Sequence, residues 1–117
     1  MKAVAANPKT KLAPAVAEFC ACAVEALRAK LPVREVWLFG SQAEGTANEH
    51  SDYDFLVVLA DAHGIYRPNL ECYTAIRDAV GSEPLDVVSL PANRWETERS
   101  NPASVYADIA TKGVRVA

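Results

Sequence analysis

Five residues carry types and spacings that could do chemistry. Gly40-Ser41 follows the apolar run Val36-Trp37-Leu38-Phe39, and after ten more residues comes Asp52-Tyr53-Asp54, leading into Phe55-Leu56-Val57-Val58-Leu59. On a strand, side chains two apart share a face, so Asp52 and Asp54 lie side by side and Tyr53 points away. Two carboxylates held that close repel each other unless a cation lies between them. Magnesium favours one or two carboxylates together with substrate phosphates. Asp86 follows Leu85 at the head of another apolar run. If that strand neighbours the Asp52–Asp54 strand, a third carboxylate joins them and a second metal can be held. Gly40 lets the backbone approach a ligand closely, and Ser41 offers a hydroxyl beside the first amides of a turn, a seat for phosphate. Acids that hold a metal, facing a phosphate seat, describe phosphoryl or nucleotidyl transfer by positioning and charge neutralisation. Taken singly, each feature has a plainer reading as a solvated turn, a strand-end turn or an edge-facing acid. Their joint placement between apolar strands gives them weight.

The elements that must position these residues follow from hydropathy and turn residues. Val16, Phe19, Cys20, Ala23, Leu27 and Leu31 recur at helical spacing, with Pro14 in the first turn and Pro32 as the stop. Residues 33–39 read as a strand covered on both faces. Residues 41–51 are small and polar and read as a loop with at most one helical turn. A second strand is predicted over 52–59, a turn at 61–64, and a helix over 66–80 with Leu70, Tyr73, Ile76, Arg77 and Val80 towards one side and Gly81 as its cap. A third strand spans 85–90. The chain is then polar until Val105, Tyr106 and Ile109 mark a short helix closed by Gly113. Interleaved helices and buried strands predict an α/β fold, a small mixed sheet of three to four strands flanked by helices. The 41–51 segment is too short for a crossover helix, so the first two strands are expected to pair antiparallel.

Composition narrows the classes. The 117 residues suit one domain over 1–117, with 1–11 as a loose arm. The net charge of −3 includes no basic stripe, which argues against direct nucleic-acid binding. The apolar runs are too short for a membrane span or a signal-peptide core. Cys20, Cys22 and Cys72 are odd in number and lack metal spacing, so a reduced, cytoplasmic protein is expected. His50, His63, Trp37 and Phe39 read as loop or core residues. Trp95, alone in a polar stretch, is a candidate interface anchor.

Gly-Ser, ten residues, Asp-x-Asp and a later strand aspartate resemble the nucleotidyltransferase superfamily of DNA polymerase beta, and the short chain is similar to its minimal members, the MNT proteins. The resemblance spans roughly residues 12–113. It implies the polymerase-beta-like nucleotidyltransferase fold, with Gly40 and Ser41 at the nucleotide phosphates and Asp52, Asp54 and Asp86 as catalytic metal ligands. Asp86 would help activate the attacking hydroxyl. It further implies two Mg2+, ATP as substrate, and a HEPN-domain toxin as partner. The chain would be its antitoxin, in a homo- or hetero-oligomer, transferring AMP to a hydroxyl, a tyrosine, of the toxin.

Gln42 and Glu44 stand where many relatives carry arginines. Losing two cations and gaining an acid weakens phosphate binding electrostatically. Arg94, Arg99 or a partner chain are candidates to compensate. Two alternatives remain open. One is a non-catalytic antitoxin that neutralises its partner by contact. The other is nucleotidyl transfer to a small molecule such as an aminoglycoside, for which this length leaves no acceptor-binding domain.

Overall fold

The computed structural model describes residues 12–48 and 51–117, so the expected arm over 1–11 and His50 lie outside the described residues. Helix α1 spans Pro14–Lys30 and opens on a proline, where the missing N–H leaves no bond unmade. Its buried stripe of Cys20, Ala23, Val24 and Leu27 keeps the three-and-four spacing seen in the sequence. Strand β1 (Val33–Phe39) runs into a single helical turn, α2 (Ser41–Glu44), and β2 follows over Tyr53–Leu59. Helix α3 (Pro68–Val80) crosses over to β3 (Leu85–Pro91). Helices α4 (Ala92–Glu98) and α5 (Val105–Lys112) lead to the two-residue strand β4 (Val114–Arg115).

The four strands form one mixed sheet in the order β3-β2-β1-β4. Strands β1 and β2 pair antiparallel, β2 and β3 parallel, and β1 and β4 antiparallel. The α/β architecture, the mixed sheet and the antiparallel first pair agree with expectation. Alternation along β2 builds two cores. Tyr53, Phe55, Val57 and Leu59 pack towards α1 and α3 with Leu27, Cys72 and Ile76. Leu56 and Val58 face the other way, meeting Trp37, Leu90, Trp95 and Ile109 beneath α4 and α5. Among the described residues no helix is long and apolar enough to cross a membrane.

Three expectations are corrected. The stretch after Pro91, which reads in sequence only as polar chain before the last helix, forms α4. It holds one buried apolar residue, Trp95, in seven positions, so periodicity cannot reveal it. Its first turn is held from outside, because the Asn93 amide donates to the Asp61 carboxylate at 2.8 Å. Trp95 is fully buried against Trp37, with ring centroids 5.4 Å apart, so it is a core residue and not an exposed anchor. On α3 the buried residues are Cys72, Ala75 and Ile76, whereas Leu70 is half exposed.

Candidate functional site

The register of the sheet brings two of the predicted acids together. Asp54 on β2 is the direct partner of Asp86 on β3. On its other side Asp54 is the partner of Phe39, the last residue of β1 before Gly40. A line across the end of the sheet therefore reads Asp86, Asp54, Phe39-Gly40. By alternation, Asp54 and Asp86 both project from the face that carries α4 and α5.

Asp52 lies one residue ahead of β2, not within it as expected, and is exposed. The approach to it is fixed by two bonds: the Asn48 amide donates to Ser51 Oγ at 2.9 Å, and the Ser51 amide to the Asn48 carbonyl at 3.1 Å. Between the two acids, Tyr53 is turned into the opposite core. Its ring stacks on Phe19 at 3.8 Å, and its amide donates to the Pro84 carbonyl at 2.9 Å.

Gly40 closes the site from the β1 side. It has φ +75°, a conformation L side chains rarely adopt, and a Cβ placed on it would collide with the Asp54 carboxylate. Its carbonyl accepts from the amides of Ala43 and Glu44, both at 3.1 Å, which winds α2. Ser41 and Gln42 supply the first amides of that turn, which a helix leaves without an internal partner.

Negative charge accumulates at this corner. Burial, then the charge of Asp86, then that of Asp52 push the Asp54 carboxyl up to about 6. Such a carboxylate is stabilised by a cation, which is the fit expected of a magnesium site. Among the described residues no three acidic, His or Cys side chains converge as a ready-made metal cage. Magnesium, which takes the rest of its shell from water and phosphate, does not require one.

The arginines considered as phosphate ligands lie outside the wall of the cleft at Gly40. Arg94 pairs with Glu98 at 3.9 Å. Arg99 pairs with Glu96 at 3.9 Å and lies over the rings of Trp37 and Trp95 at 5.4 and 5.0 Å. A cleft of about 150 Å³ adjoins Gly40, walled by Phe39, Glu44 and, from α5, Val105, Asp108, Ile109 and Lys112. Lys112 carried no signal in the sequence, because only the return of β4 along β1 brings it to this corner. His63 is structural, its Nδ1 accepting from the Ile65 amide at 2.9 Å.

The family model for the nucleotidyltransferase domain matches residues 22–108. Comparison with curated proteins finds no match. Among solved structures, a chain from a toxin-antitoxin crystal structure with AMP-PNP is similar at TM-score 0.58 and 23% identity, over 85% of this chain and 70% of that one. A protein of Sulfolobus solfataricus assigned as a nucleotidyltransferase is similar at TM-score 0.50 and 24% identity, over 71% of this chain and 73% of that one.

Proposed function

We propose, from the premise that the chain belongs to the nucleotidyltransferase domain family, that it transfers AMP from ATP to a hydroxyl of a partner toxin and so acts as an antitoxin. The observation that carries this reading is the pairing of Asp54 with Asp86 beside a side-chain-free Gly40. Similarity to a chain of a toxin-antitoxin structure supports a toxin as partner. The HEPN identity of that toxin and a tyrosine as acceptor rest on the sequence resemblance. The cysteines, all free, suit a reducing compartment such as the cytoplasm.

In this reading Asp52, Asp54 and Asp86 would hold Mg2+, which when bound supplies positive charge against the phosphates and the leaving pyrophosphate. Ser41 and the first amides of α2 orient the phosphate chain. Asp86, at the β3 end of the line, takes the proton of the acceptor hydroxyl. The hydroxyl oxygen bonds to the α-phosphorus and pyrophosphate leaves, carrying the electron pair of the broken P–O bond. Purified protein, partner toxin, labelled ATP and magnesium test this directly. Label should reach the toxin, and Asp54→Asn should abolish it. Unlabelled toxin in a complex that still forms would refute the reading.

Glu44 favours a second reading. It is exposed, and it adds an acid to the wall of the cleft beside Gly40. A chain that neutralises its toxin by contact alone has no need of phosphate affinity. An Asp52→Asn variant that still neutralises the toxin would favour contact. A folded variant that fails would favour catalysis.

A further inference from the structure

We propose that Lys112 binds the terminal phosphates of the nucleotide, completing a site whose own phosphate turn carries no cation. This inference rests on the nucleotidyltransferase reading and adds a residue to it. A polyphosphate tail needs charged donors for tight binding. Beside Gly40, α2 carries Ser41, Gln42, Ala43 and the acid Glu44, none of them a cation. Arg94 lines a separate hollow with Pro91, Asn93, Thr97 and Glu98, and Arg99 lies over the two indoles. Among the described residues that wall the cleft at Gly40, Lys112 is the one cation, set against the acids Glu44 and Asp108.

Topology explains its position. Val114 pairs with Leu38, so the end of α5 is carried back to the end of β1. Across the sheet the order becomes Asp86, Asp54, Phe39-Gly40 and then Lys112. The acids hold one end of that line and the ammonium the other, with the side-chain-free turn between them. A phosphate chain laid along it meets metal-holding acids at its reacting end and Lys112 at its tail. Lys112 is free to engage it. Among the described residues its ion-pair partner is Asp108, at 3.6 Å, and the two side chains are 60% and 63% exposed. Such a pair contributes little in water, and a lysine readily exchanges it for phosphate.

Isothermal titration of the full chain with ATP, with inorganic tripolyphosphate and with adenosine tests this. Lys112→Ala should weaken ATP and tripolyphosphate by about tenfold, the loss of one charge-assisted contact, and leave adenosine unchanged. Lys112→Arg should restore both within about threefold, because the charge is retained. Asp108→Asn should tighten tripolyphosphate, since the competing carboxylate is gone. Binding of ATP and tripolyphosphate by Lys112→Ala within twofold of wild type would overturn the assignment, as would an equal loss of adenosine. A wild-type chain that binds none of the three would instead overturn the nucleotidyltransferase reading beneath it.

Discussion

Gly40 and Asp54 occupy each other's space: the Asp54 carboxylate fills the position a Cβ at residue 40 would take. The contact joins the end of β1 to the second acid of the Asp-x-Asp pair. It makes the spacing between the Gly-Ser and the acids a matter of packing as well as of chemistry.

The first prediction concerns that contact. Gly40→Ala meets two penalties, a left-handed φ of +75° and a collision with Asp54. Gly81 has φ +81° with nothing within 4 Å of a Cβ, so Gly81→Ala carries the first penalty alone. We expect a loss of about 1 kcal/mol for Gly81→Ala and about 2–4 kcal/mol for Gly40→Ala. In the double variant Gly40→Ala/Asp54→Ala part of the larger loss should return. Urea denaturation of these variants, of Asp54→Ala alone and of the wild type measures it. Additive losses at positions 40 and 54 would show that the two residues do not touch.

The second prediction follows from the charge at Asp54. Its carboxyl titrates near 6 in the folded chain, against 3.8 for an ordinary aspartate. The folded state therefore holds more protons than the unfolded state between those values, and stability falls as pH rises through the window. The favourable contribution is complete below about pH 3.8 and gone above about pH 6. That difference corresponds to about 3 kcal/mol. Solvent screening at this partly exposed group reduces that to about 1–2 kcal/mol. In metal-free buffer Asp54→Asn should abolish this fall, and magnesium should stabilise the wild type most above pH 6. Denaturant midpoints from pH 4 to 7.5, with and without magnesium, check both. Parallel wild-type and Asp54→Asn profiles would contradict the assignment.

Much of this corner was legible in the sequence because its signals are local. The apolar runs ending at Phe39 and following Asp54 define β1 and β2 within a residue, and Gly40 marks the break between them. The neighbouring position of Asp86 was conditional on β3 lying beside β2, and the parallel pairing through α3 meets that condition. What could not be read depends on distant contacts. Helix α4 is started by Asp61, thirty-two residues earlier. Trp95 reads in sequence as a candidate interface anchor because its neighbours are polar, yet its ring meets Trp37 and its Nε1 donates to Glu35 Oε1 at 3.2 Å. Glu35 also accepts from Trp37 Nε1 at 2.9 Å, so one carboxylate satisfies both indoles of that core. Lys112 reaches Gly40 only through the two-residue strand β4, too short to give any periodicity.

The last prediction concerns how Asp86 is delivered to Asp54. Arg77, near the end of α3, donates to the carbonyls of Gly81 and Glu83 and, from Nη2, to the Tyr73 hydroxyl at 3.0 Å. It thereby ties down the turn that leads into β3. The next residue, Pro84, accepts from the Tyr53 amide and begins the β2–β3 ladder two residues before Asp86. Arg77→Ala removes the tether, and we expect a loss of about 1–2 kcal/mol. The local effect should be larger than the global one. Hydrogen exchange at the Tyr53 amide should quicken, while amides in the β1–β2 centre, such as Leu38, slow or speed only with overall stability. Arg77→Lys should recover part of the protection, because an ammonium lacks the fork needed to span the hydroxyl and two carbonyls. Equal acceleration at Tyr53 and Leu38 would mean that Arg77 stabilises the fold without positioning this end of β3.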